Sequence, residues 1–199
     1  MTDVLQRTVN LITRPSWRDL FSYESRTTKR LIRHVVVLYE TTRSEINNVV
    51  TVELWLACLT PVMQGYWRSA VAERKKKKVF DAFYPSIINI IVNDGIIPSD
   101  EFQNADPGAQ HALLDKAHAD VDQKARARAD EYIAAMTEFF DRDVPNNMPK
   151  ELVHALARNL FPVTPAQTGN PPGGVTDEFV DAMPVAIVMI SAFSDFVAG

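Results

Sequence analysis

Four side chains recur at helical spacing in the middle of this sequence: His111, Asp115, His118 and Asp122, at steps of four, three and four. Such steps bring residues to one side of a helix, so two imidazoles and two carboxylates share a stripe. That is a first-row metal ligand set. Yet His111 and His118 lie two turns apart, about 10 Å by helix rise, too far to share one ion without ligands from elsewhere. The stripe also falls beside the apolar seam of its helix rather than in it, which makes a half-exposed polar flank the simpler reading. Glu151 and His154 keep the Glu-x-x-His spacing of carboxylate-bridged di-iron bundles, but such a centre needs a second pair and two further glutamates. The sequence holds no second Glu-x-x-His. It also lacks a nucleophile elbow and a Gly-x-x-x-x-Gly-Lys run, so no catalytic residue, metal or cofactor is assigned. Cys58, the one cysteine, lies in an apolar run and reads as a buried thiol in a reducing, intracellular compartment.

A different chemistry is offered by cations. Arg74, Lys75, Lys76, Lys77 and Lys78 are consecutive, with Arg68 before them and Phe80, Phe83 and Tyr84 after. Neighbouring lysines fan around a helix, so some must face water, where each neutralises a phosphate without reading a base. Two plainer readings compete: a solvated helix end whose cations complement the negative C-terminal dipole, and a nuclear-localisation run. A second cluster, Arg26, Lys29, Arg30 and Arg33, lies opposite the apolar side of its own segment. Two basic elements of this kind suit a groove that follows a phosphate backbone, and arginine forks two hydrogen bonds onto one phosphate where lysine cannot. The whole chain is split in the same sense. Residues 1–80 carry 14 Lys and Arg against 7 Asp and Glu, residues 81–199 carry 7 against 18, and the formal net charge is −4. A split like this points to an anionic partner, or to copies meeting basic face to acidic face.

The elements that must position these residues read as helices. Leu31, Val35 and Leu38, with Ile32, Val36 and Tyr39 beside them, recur at steps of three and four. The β-branched run Val35–Val37 and the alternation Val50, Val52, Leu54 leave a minor sheet open. Ser44-Glu45 reads as a helix start, and Pro61 predicts a kink or break in the apolar helix that follows, with residues 68–78 extending it into solvent. A short apolar helix, Ser86–Val92, is expected to stop at Asn93-Asp94-Gly95. The clearest helix spans Pro107–Phe140 after an Asp106-Pro107 start, with a seam of Leu114, Ala117, Val121, Ala125, Tyr132, Met136 and Phe139 interrupted by Arg128. Glu151–Phe161 is a further amphipathic helix.

The expected fold is therefore mainly α: a single-domain helical bundle with a long central helix and a C-terminal helix on a Pro/Gly-rich arm. The domain plan is a helical core at 1–161 (basic over 1–80, acidic over 81–161), a linker at 162–175 with four prolines and three glycines, and an apolar helix at 176–199 docking in cis or on a neighbouring subunit. No apolar stretch is long enough to span a membrane, and the start Met1-Thr2-Asp3 lacks the pattern of a secretory signal. The expected function is a non-enzymatic assembly protein, a coat or nucleoprotein-like subunit of a capsid or similar particle. Its partners are further copies of itself, as a homo-oligomer, and RNA or DNA. The opposing expectation is a metal-dependent helical enzyme using His111 and His118, and a third is an accessory subunit of a larger complex.

Overall fold

Seven helices and no strand form among the residues described by this computed structural model, which are 22–46, 48–95, 97–140, 149–161 and 177–198. The expected linker at 162–175 lies outside the described residues. The fold is mainly α among the described residues, as the spacing predicts. Within it the chain divides into two compact units, Met1–His34 with Ala70–Asp122 and Val35–Ser69 with Gln123–Gly199.

Helix α1, Tyr23–Glu45, opens where the Ser22 hydroxyl accepts a hydrogen bond from the Ser25 N–H. Its β-branched run stays helical because Val35 and Val36 are buried along with Leu31, Ile32 and Tyr39, and that burial outweighs a small propensity penalty. Ser44 closes this helix rather than starting the next, since its hydroxyl donates to the Thr41 carbonyl. Asn48, with φ of 54°, then takes a left-handed conformation that asparagine tolerates well. Helix α2 spans Thr51–Arg68 and has no side-chain cap at Val50. The Val50 N–H instead donates to the Leu160 carbonyl, a partner far along the chain.

Pro61 does not interrupt α2. The helix is buried on nearly all sides from Glu53 to Val62, and the Thr60 hydroxyl bonds the Leu56 carbonyl beside the proline. The chain breaks later, at 69–72, where the Ser69 hydroxyl donates to the Tyr66 carbonyl. The basic run therefore does not extend α2. It forms the first turns of helix α3, Glu73–Gly95, which continues through Pro85 and absorbs the expected short helix at Ser86–Val92.

Ser99 caps the short helix α4, Asp100–Asn104. Asp106 then accepts hydrogen bonds from the Gly108 and Ala109 N–H groups and starts helix α5, Pro107–Phe140, at the expected residues. Along its seam Ala117, Val121, Ala125, Tyr132 and Met136 are buried, whereas Leu114 and Phe139 are half-buried. In the first unit, Val79, Phe83, Ile87, Ile88, Ile91 and Val92 of α3 are buried, and the Tyr84 hydroxyl donates to Asp122 of α5 at 2.8 Å.

In the second unit, helix α6, Lys150–Leu160, and helix α7, Asp177–Ala198, pack with α2. Leu152, Leu156 and Leu160 of α6 and Val185, Ala186 and Met189 of α7 are almost fully buried. Within this chain the C-terminal helix packs on α2 and α6. Its outward side still exposes Val180 and Ile187.

Candidate nucleic-acid interface

Helical spacing alone decides which cations face water. In α1, Thr28, Leu31, Ile32 and Val35 are buried while Arg26, Lys29, Arg30 and Arg33 are exposed. In α3, Arg74, Lys75, Lys77 and Lys78 are exposed, but Lys76 and Val79 turn inward. Lys76 leaves the binding set: its side chain is 6% exposed and its ammonium pairs with Glu73 at 2.8 Å. The run occupies the N-terminal turns of α3, so its charges add to the positive helix end instead of complementing a negative one.

Both basic stretches belong to the first unit. Their helix starts meet there, because the Lys75 ammonium lies 5.1 Å from the centre of the Tyr23 ring. A cation over an aromatic face contributes roughly 0.5–1 kcal/mol at an exposed site, enough to orient the pair without removing the charge from solvent. Among the described residues, Arg26, Lys29, Arg30, Arg33, Arg74, Lys77 and Lys78 take part in no ion pair. Just beyond them on α3, the rings of Phe80 and Tyr84 stack with centroids 5.2 Å apart and planes 14° apart. Arg68 belongs to the second unit, where its guanidinium lies 5.4 Å from the centre of the Phe193 ring.

No protein-family model, curated protein or solved structure matches this chain. The assignment of a site therefore rests on its own geometry.

The histidine stripe runs from the surface inward: His111 and Asp115 are exposed, His118 and Asp122 half-buried. His111 pairs with Asp115 at 3.8 Å with both side chains more than two-thirds exposed, and Asp122 accepts from Tyr84. Among the described residues no three His, Cys, Asp or Glu side chains gather as a metal-binding group. His154 stacks obliquely on Phe179, 4.8 Å between ring centres. Cys58 is buried, and that burial pushes its thiol up to about 12 despite a hydrogen bond with Thr42. Burial of this kind keeps the thiol protonated and weakly reactive at neutral pH. A shallow cleft of about 10 Å³ in the second unit is lined by Gln64, Arg68, Ile133, Met136, Thr137 and Phe193, none of them a histidine or a carboxylate.

The arrangement that sequence reading missed is a polar network in the second unit. Glu53, buried in the first turn of α2, accepts from Arg128 Nε at 2.8 Å and from its second terminal nitrogen at 3.2 Å. Arg128 also reaches Glu131 at 3.3 Å, and Glu131 accepts from Arg158 and Asn159 of α6. Asn159 donates in turn to the hydroxyl of the buried Tyr132 at 3.3 Å. Hydrogen bonding to Glu53 raises the Arg128 pKa. Burial works to raise that of Glu131, but hydrogen bonds from Arg158 and Asn159 outweigh it and hold the carboxyl below its ordinary value. The one sequence signal was Arg128 interrupting an apolar seam: a cation there demands a buried carboxylate opposite.

Proposed function

We propose that this chain is a non-enzymatic helical protein that holds a nucleic acid on the basic face of its first unit, in the manner of a coat or nucleoprotein subunit. The observation that carries the reading is the Tyr23–Lys75 contact, which joins the starts of α1 and α3. It gathers eight exposed cations, Arg26, Lys29, Arg30, Arg33, Arg74, Lys75, Lys77 and Lys78, into one unit. Cations in water gain little from one another's company and much from a phosphate backbone, whose bound counterions they release. Self-association is part of the same proposal, and the outward Val180 and Ile187 of α7 are among the exposed apolar residues that could serve it, with Val37, Val50 and Trp67.

Fluorescence anisotropy with labelled RNA and DNA, across a salt series, tests the reading. If all eight cations meet phosphates, the logarithm of the affinity falls against the logarithm of salt with a slope of roughly six to seven. Light scattering on the same samples reads assembly. Absence of retention at the lowest salt would remove the polymer from the proposal.

A further inference from the structure

We propose that the outward face of α7 docks on the same face of a second copy, the two helices running antiparallel about Pro184. The inference rests on the self-association read above and gives it a surface. Asp177, Val180, Pro184, Ile187, Ser191 and Ser194 are all exposed and follow one another at steps of three and four. Such steps make the straight seam by which one helix lies along another. The seam is distinct from the buried side of α7, which packs on α2 and α6. Its middle is apolar, with Val180 51% and Ile187 56% exposed. Its ends are polar, a carboxylate at Asp177 and hydroxyls at Ser191 and Ser194.

The order of these residues selects both the occupant and its direction. Asp177 lies seven residues before Pro184 and Ser191 seven after it, so two copies crossing antiparallel at Pro184 set each Asp177 against Ser191 of the other. There a hydroxyl donates to a carboxylate. Val180 and Ile187, four before and three after, meet in the same way. Residues seven apart are separated by about two turns, so these two share one flank of the seam, while Asp181, about 100° further round than Val180, falls on the other. A parallel pair would set Asp177 on Asp177 and Asp181 on Asp181, like charges in contact. The antiparallel pair separates the two Asp177 carboxylates by about 21 Å of helix rise. The face is thus complementary to itself, as a two-fold contact requires. One helix pair buries less than the ~1,200 Å² of a stable interface, so the dimer is weak and depends on concentration.

Sedimentation velocity of the intact protein across the micromolar range tests the contact, with nucleic-acid binding measured on the same samples. The wild-type chain is expected to form dimers as its concentration rises. The double variant Val180→Glu/Ile187→Glu, checked for helix content by circular dichroism, should weaken them by at least about 10-fold, since each change strikes a two-fold contact twice. Cysteine placement reads the direction without relying on that variant. Pro184→Cys should form a disulfide between copies under mild oxidation. Asp177→Cys alone should not, because Cα atoms more than about 7 Å apart cannot be bridged, whereas a mixture of Asp177→Cys and Ser191→Cys proteins should link across. The proposal is overturned by a wild-type chain that stays monomeric, by dimers that survive the double change, by a Pro184→Cys protein that does not cross-link, or by Asp177→Cys linking readily to itself. Dimers that survive would leave self-association standing on another face, and nucleic-acid binding retained throughout would leave the polymer reading untouched.

Discussion

The two units use charge in opposite ways. In the second, Glu53 is 6% exposed at its side chain and is bracketed by both branches of the Arg128 guanidinium. In the first, seven cations on α1 and α3 face water with no ion-pair partner among the described residues. A buried pair is retained because either member alone would be stranded in a low-dielectric setting. An exposed cluster of one sign contributes nothing comparable to folding, and its cost of mutual repulsion is recovered only when an anion arrives. The same residue types therefore mark structure in one unit and a candidate contact in the other.

Deleting α7 should have the largest effect. Helix α6, with its buried Leu152, Val153, Leu156 and Leu160, loses the cover of the α7 helix packed on it, and each fully buried side chain of this kind is worth on the order of 1.5–3 kcal/mol. Loss of the unfolding transition by circular dichroism, with aggregation by light scattering, is the expected outcome. A soluble, cooperative remainder would show that the helix is an appendage. Next, Arg128→Ala should destabilise by about 3–5 kcal/mol, since it strands the Glu53 carboxylate, whereas the paired change Glu53→Leu/Arg128→Met should recover much of that loss in denaturant titrations. The same network gives an acid signature. Because Glu131 is held below its ordinary value near 4.5, its contribution is present above that value and declines as pH falls through the lower folded one.

Smaller effects sharpen the contrast from the other side. Lys77→Ala/Lys78→Ala should leave the melting temperature nearly unchanged and lower the salt slope of polyanion binding by about 1.4–1.8. Lys76→Ala should do the reverse, shifting stability while sparing the slope. Smallest of all in native buffer, Cys58 should resist thiol reagents until the protein unfolds. Its raised folded pKa means that stability begins to fall as pH climbs above the ordinary value of 9.0.

Local signals were legible in the sequence and distant ones were not. Asp106-Pro107 and the seam from Ala117 to Met136 located α5, because a cap and an amphipathic period are written within a few neighbouring residues. The exposed face of Arg26, Lys29, Arg30 and Arg33 was legible for the same reason. The start of α2 was not, since the N–H just ahead of its first turn is served by the Leu160 carbonyl, from over a hundred residues away. Pro61 looked like a breaker because propensity knows nothing of the packing that surrounds α2. The inward turn of Lys76 depends on where α3 begins, after a break at residues 69–72 where the Ser69 hydroxyl bonds the Tyr66 carbonyl. Arg128 was visible as an anomaly, but its partner stands seventy-five residues away.

Lys76 has a kinetic consequence. A run of identical amines normally reacts with an acylating reagent as a group, yet here one of four neighbouring lysines is screened by its own unit. Brief treatment with an amine-directed label, read by mass spectrometry, should modify Lys75, Lys77 and Lys78 rapidly and Lys76 only during transient openings. The delay at that single residue measures how often the first unit opens in its native state. Its three neighbours on the same peptide serve as the internal clock.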